Sequence, residues 1–449
     1  MKIEYDYYGG KIDSLRLIKQ YGTVSRVSGL VIESKGPAVQ VGSLCRIESA
    51  DLEISVPAEV VGFKDHTIFL MPLGSIQGIT PGSIVTSTGE QLHVPVGDQL
   101  LGRVIDGLGN PLDEKGPVIS SHNRLLYSQP PASLKRARIT EPLYTGIKAI
   151  DTMITCGKGQ RLGIFSGSGV GKSVMMGMIA RGTSADVTVI GLVGERSREV
   201  KEFIENDLGP EGLARTVVVA VTSDEPALIR LKGILTATTI AEYFRDQGKD
   251  VMLLVDSLTR VAMAQREIGL SIGEPPATKG YPPSVFALLP KILERSGSGI
   301  RGSITGLYTV LVEGDDFNEP ISDAVRSVID GHIVLSRRLA SRNHYPAIDV
   351  LDSVSRLMPQ VANENHKKSA GQIKELLATY RDAEDLINIG AYVKGSSNKI
   401  DDSIFCNDRI NEFMKQGIYE QADPLEAIAA LPSLIEIPDN EREKTVEKI

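Results

Sequence analysis

The sequence predicts an α/β protein in which a mostly parallel sheet carries helices on both faces, preceded by a small β-rich domain and followed by an all-helical one. Three observations carry this. Near residue 22 the chain changes to short Val- and Ile-rich runs broken by Gly and Pro. From Leu162 to Leu335 apolar strand-like runs alternate with helical stretches, the pattern of a parallel sheet covered on both sides. After about Leu357 no strand pattern remains. The 449 residues are enough for three domains at roughly 150 residues each.

Taken in order, residues 1–21 form an N-terminal segment in which Ile12, Leu15 and Ile18 have amphipathic, helical spacing. In residues 22–90 the runs Val24 to Val31, Val56 to Gly62, Thr67 to Pro72 and Ser83 to Ser87 argue a small β-barrel or sandwich. Pro117, Pro130-Pro131 and Lys135-Arg136-Ala137-Arg138 read as a surface connection into the next unit, which we bound at 91–357. Its strands are expected at Leu162 to Ser166, Val187 to Val193, Thr216 to Val221, Val251 to Val255, Leu307 to Val312 and His332 to Leu335. Helical spacing at 364–389, 407–417 and 424–431 defines a C-terminal domain over 358–435, and the charged stretch 436–449 is expected to be a frayed tail.

Composition excludes several classes. Lys plus Arg is 49 and Asp plus Glu is 57, a net charge of −8, against the basic balance of a dedicated nucleic-acid binder. Cys45, Cys156 and Cys406 are isolated from one another and from the histidines, so neither a disulfide framework nor a CxxC zinc pattern can be built, and a reducing compartment fits. No apolar run approaches the roughly 18 residues of a membrane span. Met1 leads into Glu4 and Asp6, which does not resemble a signal peptide. Glycine is high at 44, so tight turns or close backbone approaches are expected.

The sharpest motif is Gly167-Ser168-Gly169-Val170-Gly171-Lys172-Ser173, placed between the strand at Leu162 to Phe165 and a helix beginning near Val174. Glycines let backbone N–H groups turn around an anion, and the helix N-terminus adds a favourable dipole. Lys172 is expected to reach the β and γ phosphates and the Ser173 hydroxyl to ligate Mg²⁺. Ser166 stands where the strict pattern has Gly, a position that needs only a small residue. A glycine-rich turn with an incidental lysine is the bland alternative, disfavoured by the flanking strand and helix.

Val251 to Val255 delivers Asp256 at the end of an apolar strand, where ligands of parallel sheets bind, and this suits the Mg²⁺-holding Walker B role. Val187 to Val193 leads into Gly194-Glu195-Arg196, where Glu195 is expected to orient the attacking water. Arg196 and Arg260 are expected to meet the γ-phosphate, the alternative for each being a solvated charge at a helix start.

These residues resemble a family. Ser166 to Ser173, Gly194-Glu195-Arg196-Ser197-Arg198-Glu199 and the block Gly273 to Phe286 look like the flagellar and type III secretion export ATPases, relatives of the rotary ATP synthase catalytic subunit. Val312-Glu313-Gly314-Asp315-Asp316 with Asn318-Glu319-Pro320, and His344 to Leu351 followed by Ser353-Val354-Ser355-Arg356, are similar to the same group. The resemblance implies a β-barrel, a RecA-like P-loop core and a helical C-terminal domain, with ATP and Mg²⁺ bound at the interfaces of a homohexamer. It implies that Arg356 is an arginine finger serving the neighbouring subunit, and that Tyr345 stacks on adenine with Phe413 as the other wall. It also implies partners: a stator-like regulator on the N-terminal segment, a central coiled-coil stalk, the membrane export gate, and chaperone–substrate complexes. The expected location is cytoplasmic, peripheral at the inner-membrane export apparatus.

Val60 to Asp65, Ile389 to Ser397 and Ile400-Asp401 look more like flagellar than virulence-associated members. Two other classes remain at this stage. A Rho-like RNA translocase is disfavoured by the charge and by the lack of a basic, aromatic-rich strand pair in 22–90. A non-catalytic nucleotide-binding subunit is disfavoured because Lys172, Glu195 and Asp256 occur together.

Overall fold

The computed structural model describes residues 20–49, 54–132, 134, 136–312, 316–317 and 319–438. All of the expected N-terminal amphipathic segment except Gln20 and Tyr21, and most of the expected C-terminal tail, lie outside these residues, as do Glu313, Gly314, Asp315 and Asn318.

Six antiparallel strands close into a barrel in the order Tyr21–Ser28, Val31–Lys35, Thr67–Pro72, Ser55–Lys64, Ser43–Glu48 and Ile84–Gln91, the last pairing back to the first. Inward residues such as Val24, Ile32, Ile47, Val60, Leu70 and Val85 form its own core. The sequence expectation differed in two places. The run Val24 to Val31 is two strands, because Gly29 takes φ 57° and turns the chain. Ser43–Glu48 went unread because its burial alternates and only half its residues are apolar.

The main sheet runs Ile348–Ser355, Gly331–Leu335, Arg161–Ser166, Ser303–Leu311, Asp250–Asp256, Val187–Glu195, Thr216–Thr222, Val104–Ile105. All neighbouring pairs in this path are parallel except the first, where Ile348–Ser355 runs antiparallel as an edge strand. That edge strand was not expected, since Asp349, Asp352, Ser353 and Ser355 interrupt the apolar pattern. The central strands are buried on both faces, as parallel sheets require, and alternate residues feed two separate cores. Val189, Val193, Leu253 and Val255 belong to one, with helices Ala227–Asp246 and Leu258–Ser271. Ile190, Leu192, Met252 and Leu254 belong to the other, with helix Lys172–Gly182 and the C-terminal helices.

Those C-terminal helices are Glu364–Asn388, Asn398–Met414 and Pro424–Leu434. Their starts follow local chemistry: Asn363 accepts from the His366 N–H at 2.9 Å, and Asp423 accepts from Leu425 and Glu426 at 2.8 and 2.9 Å with Pro424 at the first helical position. The domains are tied to the sheet by buried polar contacts. Fully buried Lys232, on a core helix, pairs with Glu59 of the barrel at 2.6 Å and also touches the Tyr127 hydroxyl. On the other side, the His366 ring meets the Thr152 carbonyl at 2.7 Å.

Candidate active site

The parallel register sets several strand ends at one edge: Ser166 lies beside Leu311 and Leu335, Val255 beside Tyr308, and Leu192 beside Asp256. From this edge the chain leaves Ser166, turns through Gly167 to Gly171, and enters helix Lys172–Gly182. Gly169 and Gly171 have φ of 78° and 89°, conformations that an L side chain adopts only with strain. A Cβ on Gly169 would meet nothing within 4 Å, so this turn of backbone faces open space, while buried Val170 anchors the loop from below. Ser168 and Ser173 are exposed at the mouth, Val174 lies behind them half-buried, and Ser166 is buried.

Lys172 and Asp256 face one another across this loop, with Nζ 2.5 Å from Oδ1. Asp256 is 2% exposed, and the same Oδ1 accepts a 2.8 Å hydrogen bond from the Thr309 hydroxyl. Glu195 stands beside them, 3.7 Å from Lys172 Nζ and 3.7 Å from Arg260 Nη2. Burial, then the charge of Asp256, pushes the Glu195 carboxyl up to about 7 against the opposing pull of Lys172 and Arg260. The Glu199 carboxyl, hydrogen-bonded to Glu195, is held below its ordinary value. Gly194, at φ 74°, leaves room for Arg260: a Cβ there would stand 3.0 Å from Arg260 Cδ.

Arg196 does not join this group. Its side chain is 77% exposed and pairs with Glu199 at 3.2 Å, because it precedes the helix Ser197–Glu202 and points off the sheet edge. Of the two arginines expected near the γ-phosphate, the fold brings in Arg260.

Tyr345 lies on the other side of the loop, where a Cβ on Gly171 would come 3.4 Å from its ring, and it is 41% exposed. Phe413 packs half-buried against the core with Lys148 Nζ 5.8 Å from its ring centroid. The two residues come from segments that are joined: the Gln416 N–H donates to the Tyr345 carbonyl at 2.9 Å. Buried Gln416 also accepts from the Lys148 N–H at 2.9 Å and donates to the Gly146 carbonyl at 2.8 Å.

Arg356 is exposed at the opposite edge of the sheet. Its N–H donates to the Asp330 carbonyl at 3.0 Å, next to the start of the strand whose far end carries the loop. Five residues of strand at about 3.3 Å each put roughly 17 Å between these edges.

Residues 146–355 match the ATP synthase alpha/beta family, nucleotide-binding domain; residues 24–89 match that family's beta-barrel domain, and 362–433 the T3SS EscN ATPase C-terminal domain. The flagellum-specific ATP synthase of Bacillus subtilis is 56% identical over 93% of this chain and 95% of its own. The chain belongs to the flagellum-specific and type III secretion ATPases. Another member, the type 3 secretion system ATPase of Xanthomonas euvesicatoria, is 46% identical over 95% of both chains. The assembled ATPase EscN of enteropathogenic E. coli superimposes with a TM-score of 0.86 at 43% identity, covering 92% of this chain and all of EscN, and it has also been solved with its central stalk EscO.

Within this export ATPase, sequence reasoning missed three residues that the geometry singles out. Glu199 and Thr309 each touch a carboxylate of the site, and Gln416 joins the helical domain to Tyr345. Thr309 carried one signal, a polar residue inside the apolar run Leu307 to Val312. Gln416 carried none, since its partners are far away in sequence.

Proposed function

We propose that this ATPase hydrolyses ATP to energise a flagellar protein export apparatus, as a homohexamer with nucleotide bound between neighbouring subunits. One observation carries the reading: Lys172, Glu195, Asp256 and Arg260 converge around the phosphate loop, while Arg356 is exposed at the far edge of the same sheet. That separation suits an arginine that acts on another subunit's nucleotide. An arginine finger supplied in trans is worth about 10³–10⁵ in rate.

The residues take the following parts. Backbone N–H groups from Gly167 to Lys172 cradle the phosphates, and Lys172 leaves Asp256 to reach the β and γ oxygens. The exposed Ser173 hydroxyl and the Asp256 carboxylate are hard oxygen donors of the kind Mg²⁺ takes, and in the structure the carboxylate already holds a cationic group, Lys172. When bound there, Mg²⁺ would supply positive charge that neutralises the phosphates, with Ser173 and Asp256 as the residues that would hold it. Glu195, in its ionised form, orients water towards the γ-phosphate, with Arg260 beside its carboxylate. Tyr345 stacks on the adenine, and Phe413 shapes the pocket behind it.

Coupling to export is drawn from the relatives. The homohexamer and the central stalk are supported by EscN, solved as an assembly and with EscO. A stator on the N-terminal segment, the export gate and chaperone–substrate complexes are the further partners we assign, at the cytoplasmic face of the membrane. Among the described residues no helix is long and apolar enough to cross a membrane. Affinity capture from the native cell tests the assignment: flagellar export chaperones should co-purify, and recovery of virulence-effector chaperones in their place would transfer it to the injectisome reading.

A further inference from the structure

We infer that Thr309 is a positioning residue for Asp256, holding the carboxylate in place when Lys172 leaves it for the nucleotide. The inference rests on the reading of Asp256 as the metal-holding carboxylate.

Thr309 lies on Ser303–Leu311, the strand between the phosphate-loop strand and the Asp256 strand. Its register neighbour on one side is Ile164, and on the other the pairing Val255 with Tyr308 sets Asp256 alongside it. Leu307 and Leu311 flank it on the same face of the strand, so the hydroxyl stands between two apolar side chains. The residue is 0% exposed and must find its hydrogen bond inside the protein. It does so at Asp256 Oδ1, 2.8 Å away, the atom that also faces Lys172.

The two donors differ in what happens to them. Lys172 sits on a long flexible stem at the mouth of the site, and its task in the phosphate loop takes it towards the β and γ phosphates. Thr309 is β-branched, fixed in a central strand and unable to follow. Once the ammonium has moved, the Thr309 hydroxyl is the donor that still orients the carboxylate. A hydrogen bond to a charged group in a buried site is of the stronger kind.

The test uses the full chain and a fluorescent ATP analogue titrated with and without Mg²⁺. Thr309→Val keeps the shape and removes the donor; Thr309→Ser keeps the donor and removes a methyl group. The valine variant should bind the analogue like wild type without Mg²⁺, lose about tenfold of the gain in affinity that Mg²⁺ brings, and need more Mg²⁺ for half-maximal turnover. The serine variant should restore both. An unchanged Mg²⁺ gain in Thr309→Val overturns the inference, and so does a serine variant as impaired as valine, which would assign the effect to packing. If the valine variant does not fold, a Mg²⁺ gain in Thr309→Ser reduced from wild type is the overturning result and an intact one supports it. Asp256→Asn separates the two layers: if it keeps the full Mg²⁺ gain, the metal-holding reading of Asp256 fails, whereas if it loses the gain and Thr309→Val does not, only Thr309 is misassigned.

Discussion

Lys172 and Asp256, 84 residues apart in the chain, meet at 2.5 Å in the structure, so opposite charges join the loop after Ser166 to the end of the strand Asp250–Asp256. On the proposed phosphate role of Lys172, nucleotide binding opens this pair.

Lys172→Ala should therefore lose nucleotide affinity and turnover together, because the phosphates lose their cation. It also leaves Asp256 buried without its partner, a change that costs about 3–5 kcal/mol when one half of a buried pair is removed. Fluorescent-nucleotide titration and urea unfolding measure the two effects. A variant that binds ATP like wild type would contradict the phosphate role of Lys172.

Glu195→Gln should bind ATP and lose about 10²–10⁴ in turnover, the usual share of a positioned acid–base group. With the carboxyl pushed to about 7, wild-type kcat/KM should rise with pH through neutrality as Glu195 ionises, and that limb should vanish in the variant. Stability runs the other way. Between the ordinary 4.5 and about 7 the folded protein keeps a proton that the unfolded chain releases, so Glu195 lowers stability as pH rises through this window. Glu195→Gln removes that loss and should gain on wild type at pH 8 relative to pH 5.

Arg356→Ala should spare nucleotide binding by one subunit yet abolish the rise of specific activity with protein concentration. Turnover per chain across a dilution series checks this. Activity that stays as high and as concentration-dependent as wild type would remove the finger assignment.

Tyr345→Ala should raise KM for ATP about tenfold with a smaller change in kcat, whereas Tyr345→Phe should stay near wild type, since the ring and not the hydroxyl lies against Gly171. Equal losses in both variants would point to the hydroxyl.

Gln416→Leu cuts the bonds to Lys148 and Gly146 and strands buried backbone groups, for a loss of about 1–3 kcal/mol. Hydrogen exchange over residues 398–416 should speed up as well, because the side-chain bonds that hold this segment to Lys148 and Gly146 are gone.

Much of this protein was legible in one dimension. Gly169, Gly171, Lys172 and Ser173 lie within five residues of one another, so spacing alone showed that they sit together at the junction of a strand and a helix. Asp256 and Glu195 end long apolar runs, and a parallel sheet has to present such ends at one edge. The central strands were read for the same reason: burial on both faces leaves an uninterrupted apolar signature. Strands half exposed to water, Ser43–Glu48 and Ile348–Ser355, lack that signature and were missed.

The sequence by itself thus determined the order of the three domains, the phosphate loop and the two carboxylates, each set by local chemistry or by the periodicity of burial. Only the tertiary structure decided which of Arg196 and Arg260 reaches Glu195, that Thr309 holds Asp256, that Gln416 ties the helical domain to Tyr345, and that Arg356 stands on the far edge. These depend on strand order and register, which bring together residues that no spacing along the chain relates.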